Sequence, residues 1–181
     1  MKKIIMLCMA CSLILLLSAA SAEWDPRDSD RQLEESAVND TINRLLTIDP
    51  TLKVYFDKAY AYAVFPTVGK GAFIAGVGYG RGWFFENGKP IGKASIMQLS
   101  AGAQIGGQAY SEVIFFSDKD RADDFKGGYY EMGAQVSAIA VTEGVGKAGT
   151  YTDGVAVFIL PTAGLMADAS VSGQRFGFEP F

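Results

Sequence analysis

The sequence contains no histidine, and its two cysteines, Cys8 and Cys11, both lie within the first 22 residues. Histidine is the commonest general acid–base near neutral pH, and zinc sites are built mainly from histidine and cysteine. Serine and cysteine triads also need a histidine or an equivalent base. These absences exclude the usual zinc sites and triads. We therefore predict a protein that is not an enzyme and that has no metal and no cofactor.

Carboxylate chemistry remains open to such a chain, because two carboxyl groups can hydrolyse a glycosidic bond. The acidic residues, however, cluster in predicted helix starts and loops, and we find none that stands out inside an apolar strand. A group of aspartates after Ser117 could suggest a calcium loop. Counted from Asp118, position six is Asp123 rather than glycine and position twelve is Tyr129 rather than glutamate, so the pattern fails. We interpret this group as the start of a helix over 118–126.

The amino terminus has the three parts of a secretory signal. Met1-Lys2-Lys3 is basic, residues 4–17 are apolar except for Ser12, and Ala20-Ser21-Ala22 places small residues before a cleavage site. The apolar run is too short to span a bilayer as a helix. We predict a signal peptide over residues 1–22, cleavage after Ala22, and a periplasmic or secreted protein.

Lipid anchoring at Cys11 is the alternative form of export. A lipoprotein signal normally has leucine and a small residue three and two positions before the cysteine, whereas Cys8 and Met9 occupy those positions here. We therefore favour soluble export. Residues 23–30 then form a polar leader, and residues 31–181 a single domain.

The mature chain is acidic. Without Lys2 and Lys3 it has 14 basic and 20 acidic residues, a net charge of −6. Binding to nucleic acid or to an anionic membrane depends on clustered lysine and arginine. The charge balance therefore argues against a nucleic-acid partner.

Glycine recurs at every second residue from Gly76 to Gly82. In a strand these glycines share one face, and Val77, Tyr79, Arg81 and Trp83 share the other. Glycine inside a strand usually marks a bend or a closely approaching backbone. A second ladder with period two runs from Ser100 to Gln108. Two such ladders predict a strongly curved or barrel-like antiparallel β-sheet.

Helices are predicted at the amino terminus and between strands. An apolar stripe with helical spacing runs from about residue 30 to 46, and Asp49-Pro50 opens a second helix around 51–59. Asn87-Gly88 predicts a hairpin, and Val155–Leu160 a strand buried on both faces. Residues 143–149 are expected to form a flexible loop. The fold class is therefore α+β, with two amino-terminal helices and one short helix inserted between strands.

Three motifs together resemble the SYLF domain: Phe65-Pro66 followed by Lys70-Gly71-x-Phe73, the glycine alternation, and the Ser-x-Gly-x-Gln-x-Gly-x-Gln ladder that starts at Ser100. The resemblance extends from about Leu33 to Phe178. It implies a non-enzymatic lipid-binding protein, since eukaryotic members join phosphoinositide membranes to actin. Here the amino-terminal segment is acidic, so phosphoinositide specificity is not carried over, and actin has no place in an exported protein.

What remains is binding of a phospholipid or an acyl-containing ligand, at the protein surface or inside the sheet. Cations on or beside one hairpin, together with exposed backbone N–H groups and aromatic side chains, could hold a lipid phosphate; solvated charge at strand ends would produce the same pattern. The candidate lipid-binding residues are Lys70, Gly71, Phe73, Arg81, Lys89 and Lys93.

Two other functions fit the same sequence. A small outer-membrane β-barrel would explain the signal peptide and the alternation, although the predicted helices have no place in a minimal barrel. A structural envelope protein that binds a protein partner is the other alternative.

Overall fold

The computed structural model describes residues 26–70, 77–99, 108–128, 136–163 and 173–181. The predicted signal peptide, Gly71, Phe73, Gly76 and the second ladder up to residue 107 lie outside the described residues. The helices are α1 (Pro26–Ile48), α2 (Lys53–Lys58), α3 (Lys119–Lys126) and α4 (Val145–Ala148), with a 3-10 turn at Pro50–Leu52. The strands are β1 (Ala61–Lys70), β2 (Val77–Glu86), β3 (Lys89–Leu99), β4 (Gln108–Phe116), β5 (Ala138–Ala140), β6 (Val155–Ala163) and β7 (Gln174–Pro180).

The chain divides into two units, Met1–Gln32 and Leu33–Phe181. In the first, the described residues belong to the beginning of α1, which starts at Pro26 rather than near residue 30. Proline is well tolerated in the first turn of a helix, where its missing N–H has no intrahelical partner. The second unit contains all the described strands. None of the described helices has the length and apolarity needed to span a bilayer.

The α+β class is confirmed. Seven strands form one sheet in the order β5-β6-β4-β1-β2-β3-β7. Neighbouring described strands are antiparallel, as predicted, except β5 and β6, which are parallel, so the sheet is mixed at this edge. Among the described strands the sheet is open, with β5 and β7 at its edges. The predicted strong curvature stays a prediction.

Local sequence signals agree well with the observed turns and caps. Asn87 and Gly88 both have positive φ, 51° and 74°, as a two-residue hairpin turn requires. Asp118 caps α3 by accepting a hydrogen bond from the backbone N–H of Arg121, at 3.0 Å. Val155–Leu160 is buried throughout, as predicted. The predicted loop over 143–149 instead contains α4.

Each face of the sheet carries its own apolar core. On one face α1, α2 and the Pro50–Leu52 turn cover the sheet, with Val38 and Leu45 of α1 in the same cluster as Trp83 and Phe85. On the other face Phe125 of α3 belongs to a cluster with Phe84 and other strand residues. Side chains alternate between the faces along each strand, which explains why neighbours in β2 belong to different cores.

The described glycines of the first ladder allow close packing around β1. Between Val64 and Thr67 the register with β2 shifts, so Phe65 and Pro66 together lie opposite Gly82. A Cβ at Gly82 would lie 1.9 Å from the carbonyl oxygen of Val64, and one at Gly80 would lie 2.9 Å from the Thr67 carbonyl oxygen. A bulge places one strand's backbone against the other, and only a residue without a side chain fits there.

Candidate functional site

At one end of the sheet, β2, β3 and β7 present three cross-strand rows of residues. Directly opposed residues in antiparallel strands point to the same face. The rows are Tyr79–Met97–Arg175, Arg81–Ser95–Gly177 and Trp83–Lys93–Glu179. The middle row contains a serine and a glycine. Because these residues are small, they leave a depression between the larger side chains of the rows on either side.

A cleft of about 430 Å³ lies over these rows. Its lining residues are Glu34, Tyr79, Arg81, Gly82, Lys93, Ala94, Ser95, Gly177, Phe178 and Glu179. A Cβ at Gly177 would lie 2.6 Å from the Ser95 hydroxyl oxygen. Gly177 therefore lets β7 approach the Ser95 side chain, and both residues keep the floor of the cleft low.

Arg81 is exposed at one side of the cleft and is oriented by Tyr79. Its Nε donates a hydrogen bond to the Tyr79 hydroxyl at 3.0 Å, and its Cζ lies 5.9 Å from the centroid of the Tyr79 ring. This hydrogen bond, and more weakly the charge of Glu34, raise the pKa of Arg81 above its ordinary value. The guanidinium is thus charged, held in position, and without an ion-pair partner among the described residues.

Lys93 lies in the next row and connects the cleft to α1. Its Nζ is 2.7 Å from Oε2 of Glu34, and both side chains are partly exposed. Glu179 lies opposite Lys93 in the register of β3 and β7 and is exposed. The cleft therefore brings two cations, Arg81 and Lys93, together with two carboxylates, Glu34 and Glu179, and its charges balance.

Apolar surface borders this charged cleft. Tyr79 and Met97 are directly opposed across β2 and β3, and they are 51% and 45% exposed. A second cavity, of about 230 Å³, shares Glu34, Arg81 and Gly82 with the cleft and is otherwise lined by Ala37, Val38, Pro66, Thr67 and Trp83. The arrangement places charged side chains next to exposed apolar surface.

The structure brings together only part of the predicted lipid-binding set. Arg81 and Lys93 line the same cleft. Lys89 lies next to the hairpin turn, opposite Glu86, and is not among the lining residues. Lys70 is the last residue of β1, where its backbone pairs with Gly78 and Gln108. Gly71 and Phe73 lie outside the described residues.

Sequence reasoning missed several residues of the cleft. Glu34, Ser95, Gly177 and Glu179 were not among the candidate residues, because none of them carries a local signal. The pairing of β3 with β7 joins residues about eighty positions apart, and no pattern in the sequence specifies that pairing. Tyr79 was placed on the correct face by the glycine alternation, but its contact with Arg81 two residues later was not foreseen.

A second polar group is buried in the core on the α3 side. The Tyr110 hydroxyl donates to Oε1 of Gln98 at 2.8 Å, and Nε2 of Gln174 donates to Oε2 of Glu112 at 2.9 Å. All four side chains are buried. Burial, together with the nearby charge of Glu112, raises the pKa of Tyr110 well above its ordinary value. Glu112 lies within β4, so the expectation that no acid stands inside an apolar strand was wrong.

In the part of the chain that the structure describes, no group of three or more acidic residues could hold a metal ion. Glu112 faces the amide of Gln174. That hydrogen bond makes the burial of the carboxylate tolerable.

No protein-family model matches this chain. Beta cell expansion factor A of Aeromonas veronii is 35% identical to it over 139 residues, which is 75% of this chain. The chain spans about half the length of that protein, 52%. The chain is thus similar to a part of a protein whose name refers to expansion of beta cells, and that name assigns no ligand to the cleft.

Proposed function

We propose that this chain is a non-enzymatic, exported lipid-binding protein of the SYLF type, whose ligand is a phospholipid or another acyl-containing molecule. The ligand is held by the cleft over β2, β3 and β7 and is not transformed. The protein acts in the periplasm or outside the cell, after removal of residues 1–22.

The observation that carries this proposal is the position of Tyr79 and Met97 beside Arg81. Both apolar side chains are about half exposed on the same face as a charged guanidinium. Exposed apolar surface next to fixed cations is the combination that peripheral membrane proteins use, with the cations at headgroup level and the apolar groups at the acyl boundary. The second cavity extends this apolar surface towards Val38 and Trp83.

The sequence likeness to SYLF domains supports the same proposal. The Phe65-Pro66 part of the SYLF-like motif forms the bulge of β1. This bulge lies against Gly82 of the glycine ladder. Gly82 and Pro66 both line the second cavity. The motif residues and the cleft are therefore parts of one local arrangement.

Flotation of the purified protein with phospholipid vesicles tests the proposal. We expect the protein to float with vesicles, and a Tyr79→Ser/Met97→Ser double variant to bind about tenfold more weakly, since two apolar contacts and the hydrogen bond that orients Arg81 are lost. The matched control is Val54→Ser, which removes a partly exposed apolar side chain on α2 that is not a lining residue of the cleft. The proposal is contradicted if the wild-type protein stays at the bottom of the gradient, separate from the floated vesicles, with every vesicle composition.

Binding to a protein partner is the remaining alternative. It would be favoured if the protein bound no vesicle while cross-linking through the same face recovered a defined partner. Equal loss of vesicle binding in Val54→Ser and in the double variant would show that the cleft is not the lipid-binding surface.

A further inference from the structure

We infer that the cleft recognises a zwitterionic headgroup that carries both a phosphate and a primary amine, such as phosphoethanolamine. The inference deepens the proposed function and rests on it, because it names the class of headgroup. Arg81 binds the phosphate, and the carboxylates of Glu34 and Glu179 receive the ammonium group.

The phosphate side of the cleft is formed by Arg81. Its guanidinium is planar, and its Nε is already fixed by the Tyr79 hydroxyl, so the terminal nitrogens are oriented and face no carboxylate within ion-pair distance among the described residues. Arginine in this state binds phosphate oxygens through charge-assisted hydrogen bonds. Ser95, directly opposite Arg81, adds a hydroxyl that can donate to the same group.

The amine side is formed by the two carboxylates. Glu179 is exposed on the edge strand, and no ion pair joins it to another described residue. Glu34 lines the cleft from α1 and forms an ion pair with Lys93, with 2.7 Å between its Oε2 and the lysine Nζ. A primary ammonium group has three N–H donors and can bridge such carboxylates, whereas a simple anionic headgroup would meet them as repulsive charges.

Charge balance distinguishes this cleft from an anion-binding surface. Two cations and two carboxylates line it, and the chain without residues 1–22 carries a formal charge of −6. Proteins that bind anionic membranes by electrostatics use clusters of lysine and arginine, and their binding weakens steeply with salt. A cleft with equal numbers of cations and carboxylates has no net attraction for a headgroup that carries net negative charge. It instead favours a ligand whose own charges are balanced and oriented.

The test is a vesicle-binding titration with two headgroups at two salt concentrations. Vesicles rich in phosphatidylethanolamine are compared with vesicles rich in phosphatidylglycerol of the same acyl composition. We expect about tenfold tighter binding to phosphatidylethanolamine, with little dependence on salt. Soluble phosphoethanolamine should compete, whereas inorganic phosphate or ethanolamine alone should compete at least tenfold less well.

Two substitutions test separately the residue that binds the phosphate and a carboxylate that receives the amine. Each has a control substitution with the same change of charge. Arg81→Gln should weaken binding to both vesicle types, while Glu179→Gln should abolish the preference for phosphatidylethanolamine. Arg44→Gln and Glu35→Gln, at exposed positions of α1 that do not line the cleft, should behave as wild type. Circular dichroism of each variant verifies that it is folded.

The outcomes separate the two claims. Binding to both vesicle types without preference, or tighter binding to phosphatidylglycerol, overturns the headgroup inference and leaves lipid binding intact. Competition by inorganic phosphate as strong as that by phosphoethanolamine also overturns it, because the site would then recognise phosphate alone. Absence of binding to every vesicle overturns the proposed function itself.

Discussion

Gly82 lies against the backbone of Val64 so closely that a Cβ at position 82 would be 1.9 Å from the Val64 carbonyl oxygen. The contact arises because Phe65 and Pro66 bulge out of β1 opposite a single residue of β2. The same strand segment carries Arg81 into the cleft and Trp83 into the core. The bulge therefore couples the packing of the central strands to the geometry of the candidate site.

The first prediction concerns this contact. Gly82→Ala should lower the free energy of unfolding by about 3 kcal/mol, because the new methyl group meets backbone atoms that cannot rotate away. Gly69→Ala is the matched control, since a Cβ at position 69 has no atom within 4 Å. Urea denaturation of both variants measures the difference. Equal stabilities of the two variants would be incompatible with the observed bulge.

Asp49 provides the second prediction. It is fully buried, and its Oδ1 accepts hydrogen bonds from the backbone N–H and the hydroxyl of Thr51, at 3.0 and 2.7 Å. Its Oδ2 accepts from the backbone N–H of Gly146 at 2.6 Å, which fixes the α4 segment to the Pro50–Leu52 turn. Asp49→Asn should cost about 2 kcal/mol, because an amide NH₂ would face the Gly146 N–H.

The control for Asp49→Asn is the same substitution at Asp118, the aspartate that caps α3. It is exposed and bonds the N–H of Arg121 within its own helix. Asp118→Asn preserves an accepting oxygen and should change the stability by less than about 0.5 kcal/mol. If Asp49→Asn were as mild as Asp118→Asn, the buried contact with Gly146 would not contribute to stability.

The third prediction is the pH dependence of the Asp49 contribution. Burial alone would raise the pKa of Asp49, but the hydrogen bonds from Thr51, Gly146 and Gly144 outweigh it and leave the pKa below the ordinary value of 3.8. A folded-state pKa below the unfolded one stabilises the protein fully above the unfolded pKa, and the effect is lost as the pH falls through the folded pKa.

The difference in unfolding free energy between wild type and Asp49→Asn should therefore be constant from about pH 5 to pH 7 and should shrink below about pH 4. Thermal or urea unfolding across this range measures it. A difference that grew on acidification would mean that the folded state raises the pKa of Asp49 instead.

The fourth prediction concerns the buried polar group. Tyr110→Phe removes the hydroxyl that donates to Gln98 at 2.8 Å in a buried site, and should cost about 2 kcal/mol. Tyr60→Phe removes a hydroxyl that donates to Glu86 at 2.9 Å in a partly exposed site, and should cost less, because water can replace the lost hydrogen bond there. Denaturation midpoints rank the two, and a reversed order would contradict a stabilising contribution of the buried hydrogen bond between Tyr110 and Gln98.

Much of the local structure could be predicted because the signals are local. Asn87-Gly88 tolerates the positive φ that the turn requires, Asp118 offers a carboxylate to the first turn of a helix, and Val155–Leu160 is apolar on both faces. The alternation around Gly82 also separated the two faces of β2 correctly, since side-chain direction in a strand follows position alone.

The parts that sequence reasoning missed depend on contacts between distant segments. Glu179 lies near Lys93 only because β7 pairs with β3, and β5 lies parallel to β6, a pairing that no local pattern specifies. Glu112 was not recognised as buried because Ser111 and Glu112 look polar beside the apolar run that follows them. Gln174, sixty-two positions away, supplies the hydrogen bond that makes its burial tolerable.

Amide NMR of the ¹⁵N-labelled protein with phospholipid bicelles shows whether the cleft over β2, β3 and β7 binds a phospholipid. We expect the largest chemical-shift changes at the cleft, and we expect them to saturate with lipid concentration; the residues concerned are Tyr79, Arg81, Ser95, Gly177 and Glu179. Changes confined to residues outside these three strands, or no change at any lipid concentration, would contradict it.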